Sequence, residues 1–256
     1  MQKIYFASDF HLGIDAKYTS REREKQVVGW LDHIAMDARE IFLVGDIFDF
    51  WFEFRTVIPR GHSRLIGKLS AIRDAGIPIN LFTGNHDMWM FGFFEDELGI
   101  PVYRKPRIVN LMGKTFFIGH GDGLGPGDTG YKRLKRIFKS PLSRWFFARL
   151  HPNFSFPIAR YWSKKSRSTC FPKETFLGDD REWLIQYANG KLDQKSIDYF
   201  IFGHRHLPID FLLKNGSSRY INLGDWLYYN SYASFDGKDV QILFYKNPEG
   251  KVYPER

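Results

Sequence analysis

Five short polar clusters in the chain hold side chains that typically bind divalent metals. They are Asp9-Phe10-His11, Gly45-Asp46, Gly84-Asn85-His86-Asp87, Gly119-His120-Gly121-Asp122 and Gly203-His204-Arg205-His206. Oxygen and imidazole donors without cysteine suit manganese, iron or zinc, and they argue against a thiolate site. The donors outnumber the four positions of one tetrahedral ion and are enough for two ions. Two-metal sites share a bridging carboxylate and clamp phosphoryl oxygens during in-line attack, and Asp46 is the natural bridge because it stands alone in its cluster.

Each cluster follows a predicted strand. Strands at 3–8, 41–44 and 79–82 alternate with helices at 20–38 and 62–75, which indicates an α/β domain with parallel strands. Further strands are predicted at 107–111, 114–119 and 198–202, a helix at 179–188, and strand-like runs over 209–246. Because ligands bind beyond the carboxyl ends of strands in such sheets, we expect the five clusters to converge at one edge.

A basic and aromatic segment interrupts this pattern. From Thr129 to Lys173 the chain has twelve Lys or Arg, ten aromatic residues and no Asp or Glu, so this stretch carries +12 in a chain of net +8. Pro141, Pro152 and Pro157 predict several short helices rather than one long helix. The pattern favours an anionic partner: nucleic acid, a phospholipid surface, or a phosphorylated substrate with a hydrocarbon part. The alternative is a helical insert whose aromatics pack on the body and whose charges are only solvated.

The composition of the chain limits the classes of protein to which it can belong. The 256 residues are 43% hydrophobic and 26% charged, which is ordinary for a soluble domain and excludes a disordered chain. One cysteine, Cys170, excludes a disulfide framework and fits a reducing compartment. No signal peptide and no apolar run long enough to span a bilayer is found, so we expect a cytoplasmic protein. We expect one domain over residues 1–256, with a basic, aromatic helical cap inserted at 129–190.

The ordered set of five clusters resembles the calcineurin-like metallophosphoesterase superfamily. This resemblance implies an α/β sandwich of two mixed β-sheets flanked by helices, here with a helical cap insert. It implies two divalent ions, with manganese expected and iron or zinc as alternatives. One ion would be held by Asp9, His11, Asp46 and His206, the other by Asp46, Asn85, His120 and His204. The catalytic residues would be His86, as a cation or proton donor beside the phosphate, and Asp87, which would orient it.

Within that superfamily, the stretch from His120 to Lys132, followed by a helical insert, is similar to UDP-2,3-diacylglucosamine pyrophosphohydrolases. This similarity implies hydrolysis of UDP-2,3-diacylglucosamine to UMP and 2,3-diacylglucosamine 1-phosphate in lipid A biosynthesis. It implies a peripheral protein on the inner face of the cell membrane, with a cap that binds acyl chains and an anionic membrane surface. Two residues depart from the branch: His86 stands where many members have Arg, and Arg205 stands where they have Thr.

Several residues are candidates for contacts with such a substrate. The cations Lys132, Lys164, Lys165 and Arg167 could bind phosphate, and Asp122 and Asp128 could bind sugar or nucleotide hydroxyls, although Asp128 could equally cap a helix. Trp145 and Phe146, with neighbouring aromatics such as Phe147, could form an acyl pocket or meet a membrane. Asp49 is expected to orient a metal-bound histidine, and the alternative is a purely structural role in a turn.

Three functions other than this hydrolase activity are compatible with the same residues. A nuclease or nucleotide phosphodiesterase could grip a phosphate backbone with the basic segment, and another lipid-diphosphate hydrolase could share the metal core. A non-catalytic binding module could keep the metal fold as a scaffold. The intact ligand set argues against the scaffold, and a segment both basic and aromatic favours a diphosphate with acyl chains over nucleic acid. The pattern makes no prediction of an oligomeric state.

Overall fold

Two β-sheets form the centre of the molecule. The computed structural model describes residues 2–125, 129–170 and 175–254, without the side chains of 160 and 164–170. The first sheet has six strands in the order β11-β10-β1-β2-β3-β4, and the second has five in the order β5-β6-β7-β9-β8. The strands are β1 (Lys3–Ala7), β2 (Ala38–Val44), β3 (Ile79–Phe82), β4 (Val102–Tyr103), β5 (Arg107–Leu111), β6 (Lys114–Ile118), β7 (Tyr199–Phe202), β8 (Pro208–Leu212), β9 (Arg219–Leu223), β10 (Ser231–Phe235) and β11 (Val240–Phe244).

Both sheets are mixed, and they pack face to face. Strands β1 to β4 are parallel, and β10 is antiparallel to both of its neighbours, β1 and β11. In the second sheet β6, β7 and β9 are parallel, and the edge strands β5 and β8 are antiparallel to them. Phe6 and Phe42 of the first sheet meet Phe116 and Ile201 of the second in one buried cluster. This apolar layer holds the strand ends in fixed positions, on which the geometry of the polar clusters depends.

Helices cover the outer faces of both sheets. Helices α1 (Ser20–Ala35) and α2 (Ser63–Asp74) pack on the first sheet, and α7 (Trp183–Leu192) packs on the second; a short α3 (Phe93–Asp96) precedes β4. Thr19 and Glu22 form a capping box that starts α1. The predicted sandwich of two mixed sheets flanked by helices is confirmed. Helix α1 ends three residues before the predicted boundary, because Ala38 already pairs with Lys3 in the sheet.

Three further helices form the basic and aromatic insert, which we call the cap: α4 (Thr129–Lys139), α5 (Pro141–Phe147) and α6 (Pro152–Cys170). Pro141 and Pro152 begin helices as expected, but Pro157 does not break one. It lies in the second turn of α6, where the missing N–H affects a single hydrogen bond near the helix start. Helix α7 buries Leu184, Ile185 and Ala188 against the second sheet, so it packs as part of the body. Among the described residues, no helix is both long and apolar enough to cross a membrane.

Candidate metal centre

The polar clusters converge at the carboxyl ends of β1, β2, β3, β6 and β7. Five of their residues have left-handed backbone conformations: Asp9 (φ 56°), His11 (φ 44°), Asp46 (φ 51°), His204 (φ 66°) and His206 (φ 57°). Such φ values are costly for residues with a side chain, and they concentrate at functional sites. Two glycines are required by close approach: a Cβ on Gly84 would collide with the Asp46 carboxylate, and one on Gly203 with that of Asp9. The chain is therefore strained and packed tightly around these carboxylates.

Two overlapping groups of ligand atoms meet at this edge. In the first, His11 Nε2 lies 3.6 Å from Asp9 Oδ1 and 3.8 Å from Asp46 Oδ2, and His206 Nε2 lies 3.5 Å from Asp9 Oδ1. In the second, His120 Nε2 lies 3.2 Å from both Asp46 Oδ2 and Asn85 Oδ1, and His204 joins Asp46 and His120 within 4.8 Å. Asp46 belongs to both groups, as expected of a bridging carboxylate.

The donor atoms fit divalent cations. Asp9 Oδ1, His11 Nε2 and Asp46 Oδ2 are buried with no hydrogen-bond partner among the described residues. A buried carboxylate oxygen without a partner is costly, and a bound cation removes that cost. Donors placed about 2.1 Å from one ion lie roughly 3 to 3.5 Å from each other, close to the separations seen here. This edge of the sandwich therefore has the arrangement of a divalent-metal site.

Without metal, protons balance the carboxylates. Burial lowers the pKa of His120, but the neighbouring Asp46 carboxylate outweighs burial and raises that pKa to about 10. Burial raises the pKa of Asp46, but the neighbouring imidazoles of His120, His86 and His11 together outweigh burial and hold the pKa well below its ordinary value. Burial and, after it, the cationic His120 together lower the pKa of His204 to about 4. Since metal ligands must be deprotonated, a cation that enters this site displaces protons.

Neighbouring groups orient the imidazoles. His120 Nδ1 lies 2.9 Å from the Val44 carbonyl oxygen, and His206 Nδ1 lies 3.2 Å from Asp225 Oδ2, so both Nε2 atoms face the ligand groups. Asp49 Oδ1 lies 3.6 Å from His11 Nδ1, in the position expected for it. Asp225 is a functional residue that sequence reasoning missed. Its signal is present: Gly224-Asp225 follows β9 as Gly45-Asp46 follows β2.

His86 lies at the same edge, but the role expected for Asp87 does not match its contacts. The Asp87 carboxylate accepts hydrogen bonds from the backbone N–H groups of Gly84 (2.6 Å) and Ile47 (2.8 Å), and so joins the second and third clusters. The His86 ring is held elsewhere, with Nδ1 2.9 Å from the Asp49 carbonyl oxygen. Orientation of His86 by Asp87 is therefore wrong, because the carboxylate is turned into the loops that carry the ligands.

Arg23 is a second residue that sequence reasoning missed. It is fully buried, and its guanidinium donates to the carbonyl oxygens of Phe10 (2.7 Å), His11 (2.7 Å) and Ile14 (2.6 Å). It therefore fixes the loop that carries Asp9 and His11 in their left-handed conformations. The available signal is its position on α1, where Arg23 falls on the apolar stripe with Val27 and Ile34.

An apolar groove of about 540 Å³ opens beside the metal centre, between the body and the cap. Asp49, Asn85 and His86 form its inner end, and the remaining lining is mostly aromatic or aliphatic: Phe50, Met88, Trp89, Tyr131, Leu134, Lys135, Phe138, Phe147, Ala159, Trp162 and Ser163. Of the aromatic triplet in α5, only Phe147 faces this groove. Trp145 and Phe146 are not among its lining residues and are 50% and 58% exposed, because they lie on the other side of a short helix.

The structure describes only some of the remaining candidate residues for substrate contacts. Asp122 is buried and accepts a hydrogen bond from the Tyr131 hydroxyl (2.6 Å), with Lys135 paired to the same carboxylate. Lys132 donates to the Gly125 carbonyl oxygen at 2.7 Å, which holds it against the loop before α4. Asp128 lies outside the described residues, and so do the side chains of Lys164, Lys165 and Arg167. A smaller polar pocket of about 170 Å³ lies beyond His120 and Asp122, with Lys105, Lys135 and Lys139 in its wall.

The chain is similar to several known proteins. A UDP-2,3-diacylglucosamine hydrolase of Porphyromonas gingivalis is 38% identical over 253 residues, which cover 94% of this chain and 96% of that relative. A protein of the same name from Aeromonas salmonicida is 29% identical, covering 86% of this chain and 85% of its own. Among solved structures, the phosphoesterase Yfce from E. coli is 15% identical with a TM-score of 0.47, covering 96% of this chain and 94% of that one. Residues 2–208 match the family model for calcineurin-like phosphoesterases. The chain therefore belongs to the calcineurin-like phosphoesterase family.

Proposed function

We propose that this protein hydrolyses the pyrophosphate of UDP-2,3-diacylglucosamine to UMP and 2,3-diacylglucosamine 1-phosphate. The observation that carries the proposal is the apolar groove whose inner end is formed by Asn85 and His86, at the edge of the metal centre. A phosphoester substrate with two acyl chains fits a metal centre with an apolar groove beside it better than a soluble phosphate compound does. The names of the relatives support the same substrate.

The metal centre would hold two ions, with manganese as the expected pair. Asp9, His11 and His206 would hold one ion, Asn85, His120 and His204 the other, and Asp46 would bridge them. When bound, such ions supply Lewis-acid neutralisation of phosphoryl charge and a lowered pKa for coordinated water. Arg23 and Asp225 keep the ligands in place through the contacts described above.

His86 is the proposed contact for the substrate diphosphate. A ring nitrogen of His86 lies within 4.8 Å of ligand atoms of His11 and Asp46, so the ring borders the space where a scissile phosphate would bind. Burial lowers the pKa of His86 to about 4 in the free protein, with Asp46 opposing and His11 adding to this effect. A diphosphate anion beside the ring favours its cationic form, in which it can donate a hydrogen bond or a proton.

The cap is proposed to bind both the acyl chains and a membrane surface. Its inner side forms the groove with Phe138, Phe147 and Trp162, while its outer side exposes Trp145 and Phe146 among basic residues. Anionic lipids of the cytoplasmic leaflet attract such a surface, and exposed aromatic rings suit the lipid interface. We therefore propose peripheral binding at the inner face of the cell membrane, and a single domain with α4 to α6 as its cap.

The test of this function separates it from a nuclease on the same metal core. Protein loaded with Mn²⁺ is given UDP-2,3-diacylglucosamine or single-stranded DNA at rising salt concentration. We expect release of UMP that tolerates salt, and no cleavage of DNA. Cleavage of DNA that weakens steeply with ionic strength, without hydrolysis of the lipid, would favour the nuclease.

A further inference from the structure

One residue of the cap reaches the metal centre. Ser163 of α6 is buried, and its Oγ lies 2.9 Å from His86 Nδ1, 3.0 Å from Asp49 Oδ2 and 3.3 Å from the Asp49 carbonyl oxygen. Ser155, Ala159 and Ser163 are spaced four residues apart on α6, and all three are buried, so this face of the helix is turned towards the protein. The cap thus places a hydroxyl directly against a residue of the proposed catalytic site.

The hydrogen-bond donors and acceptors fix one arrangement of protons. The ionised Asp49 carboxylate and the Asp49 carbonyl oxygen can only accept hydrogen bonds. The Ser163 hydroxyl therefore donates to the carboxylate, and His86 Nδ1–H donates to the carbonyl oxygen at 2.9 Å and to Ser163 Oγ. This places the ring proton of neutral His86 on Nδ1. The Nε2 atom, on the opposite edge of the ring, is then the nitrogen that can interact with a substrate.

The backbone of His86 is held separately from its ring. The His86 N–H donates to Asp46 Oδ1 at 2.8 Å, which ties the main chain to the bridging carboxylate. The side chain of His86 could still rotate about its own bonds, and the contacts of its ring with Asp49 and Ser163 prevent this rotation. Of these two, only Ser163 belongs to the cap.

From this arrangement we infer that Ser163 is a positioning residue, which completes the orientation of the His86 ring from the cap when α6 is seated. The neighbouring residues Ala159 and Trp162 on α6 line the apolar groove. An acyl chain in the groove would stabilise the seated helix, and through Ser163 it would favour the active orientation of His86. The inference rests on the proposed hydrolytic function, and it adds a link between substrate binding and catalysis.

The test is a double-mutant cycle of Ser163→Ala and His86→Ala, measured on the soluble diester bis-p-nitrophenyl phosphate. Alone, Ser163→Ala should lower kcat about three- to tenfold, the effect of one hydrogen bond, with little change in KM. In the His86→Ala background it should cause no further loss beyond about twofold, because Ser163 acts through His86. Ser163→Thr keeps the hydroxyl and should recover most of the rate.

Two controls share the same helix. Ser155→Ala removes another buried hydroxyl, which donates to the Pro152 carbonyl oxygen at 3.5 Å, and it should leave kcat unchanged. Trp162→Ala should raise KM for the diacyl substrate and leave kcat on the soluble diester within about twofold, because Trp162 lines the groove and is not one of the described residues that hydrogen-bond to the His86 ring. If Ser163→Ala does not yield folded protein, Ser163→Cys, nearly the same size with weak hydrogen bonding, replaces it in the cycle.

The inference is overturned if Ser163→Ala keeps full kcat, or if its loss multiplies with that of His86→Ala. Equal losses from Ser155→Ala and Ser163→Ala would likewise reduce Ser163 to a structural hydroxyl. Use of the soluble diester separates the positioning role of Ser163 from the identity of the natural substrate. A coupled cycle without hydrolysis of UDP-2,3-diacylglucosamine would reject the proposed substrate and leave the positioning role in place.

Discussion

Among single residues, Asp46 is the most important for the proposed metal centre, because both groups of ligand atoms include it. One carboxylate oxygen lies 3.2 Å from His120 Nε2 and 3.8 Å from His11 Nε2, and the other accepts the backbone N–H of His86. A neutral amide of the same shape preserves the backbone contact and loses the charge that two cations share. Asp46 thus joins metal binding to the placement of His86.

Asp46→Asn should lower the Mn²⁺-dependent rate about 100- to 1,000-fold, the loss typical when one group that stabilises developing charge is removed. The measurement is steady-state hydrolysis of bis-p-nitrophenyl phosphate, with circular dichroism to verify folding. Asp74→Asn, at the exposed end of α2, is the matched control and should retain full activity. Full activity of Asp46→Asn would rule out a bridging carboxylate.

Metal binding should release protons, because Asp46 raises the pKa of His120 to about 10 in the free protein. At pH 7.5 His120 is then protonated, and a metal ion must displace that proton. Below pH 10 the apparent affinity for Mn²⁺ should rise about tenfold per pH unit for each proton displaced. Calorimetry in buffers of different ionisation enthalpy measures the protons released. An affinity independent of pH between 6.5 and 9 would contradict a cationic His120.

Among the secondary-structure elements, the loop after β7 is joined to the start of α7 by Arg205. This is the arginine that stands where similar pyrophosphohydrolases have Thr. Arg205 donates to both carboxylate oxygens of Glu182 at 3.1 Å and to the Thr175 carbonyl oxygen at 2.8 Å. Glu182 is fully buried and precedes α7. Since His204 and His206 flank Arg205, this bidentate pair anchors the ligand loop to the body.

Glu182→Gln should lower the free energy of unfolding by about 3 kcal/mol, because it leaves a mostly buried guanidinium without its carboxylate. Denaturant unfolding of the metal-free protein measures the change. The control is Asp193→Asn, which breaks an exposed pair with Lys214 and should cost about 0.5 kcal/mol or less. Equal costs would show that the Arg205–Glu182 pair adds no more than a surface pair.

Local sequence patterns predicted the strands and the ligands they carry, since each ligand cluster directly follows a run of apolar residues. Residues that act across long distances in the chain could not be found this way. Ser163 contacts Asp49 from 114 positions away, and Asp225 contacts His206 from the end of a different strand. The aromatic composition of this segment also indicated Trp145, Phe146 and Phe147 as one group of candidates for acyl-chain contacts, whereas only Phe147 of the three lines the groove. Which side of a short helix faces the body depends on tertiary packing.

At the scale of the whole molecule, charge is divided between two parts. Residues 129–173 carry +12, while the rest of the chain carries a net −4 that includes the carboxylates of the metal centre. Bound divalent cations would bring the body close to neutral, so the positive balance belongs to the cap. The same cap exposes large apolar side chains, among them Leu142, Trp145 and Phe146. A surface that is both cationic and apolar is suited to an anionic membrane.

The double substitution Trp145→Ser and Phe146→Ser should weaken binding to vesicles of anionic phospholipid. Two half-exposed rings contribute about 2 kcal/mol together, or roughly 30-fold in partitioning. Sedimentation with vesicles measures this loss, while hydrolysis of a soluble diester should not change. Tyr228→Ser removes an exposed ring outside the cap and should have no effect on binding. An unchanged partition of the double variant would exclude these rings from membrane contact.

The proposed reaction is cleavage of the pyrophosphate of a diacylated UDP-sugar at the metal centre. The decisive measurement is phosphorus NMR of the reaction of the Mn²⁺-loaded protein with UDP-2,3-diacylglucosamine, recorded after a chelator has removed the paramagnetic ion, since the diphosphate signals must be replaced by monoester signals. We predict equal amounts of UMP and 2,3-diacylglucosamine 1-phosphate, formed about 100- to 1,000-fold more slowly by the Asp46→Asn variant. Formation of UDP, or an unchanged diphosphate with a protein that still hydrolyses simple diesters, would show that this chain does not catalyse the proposed cleavage.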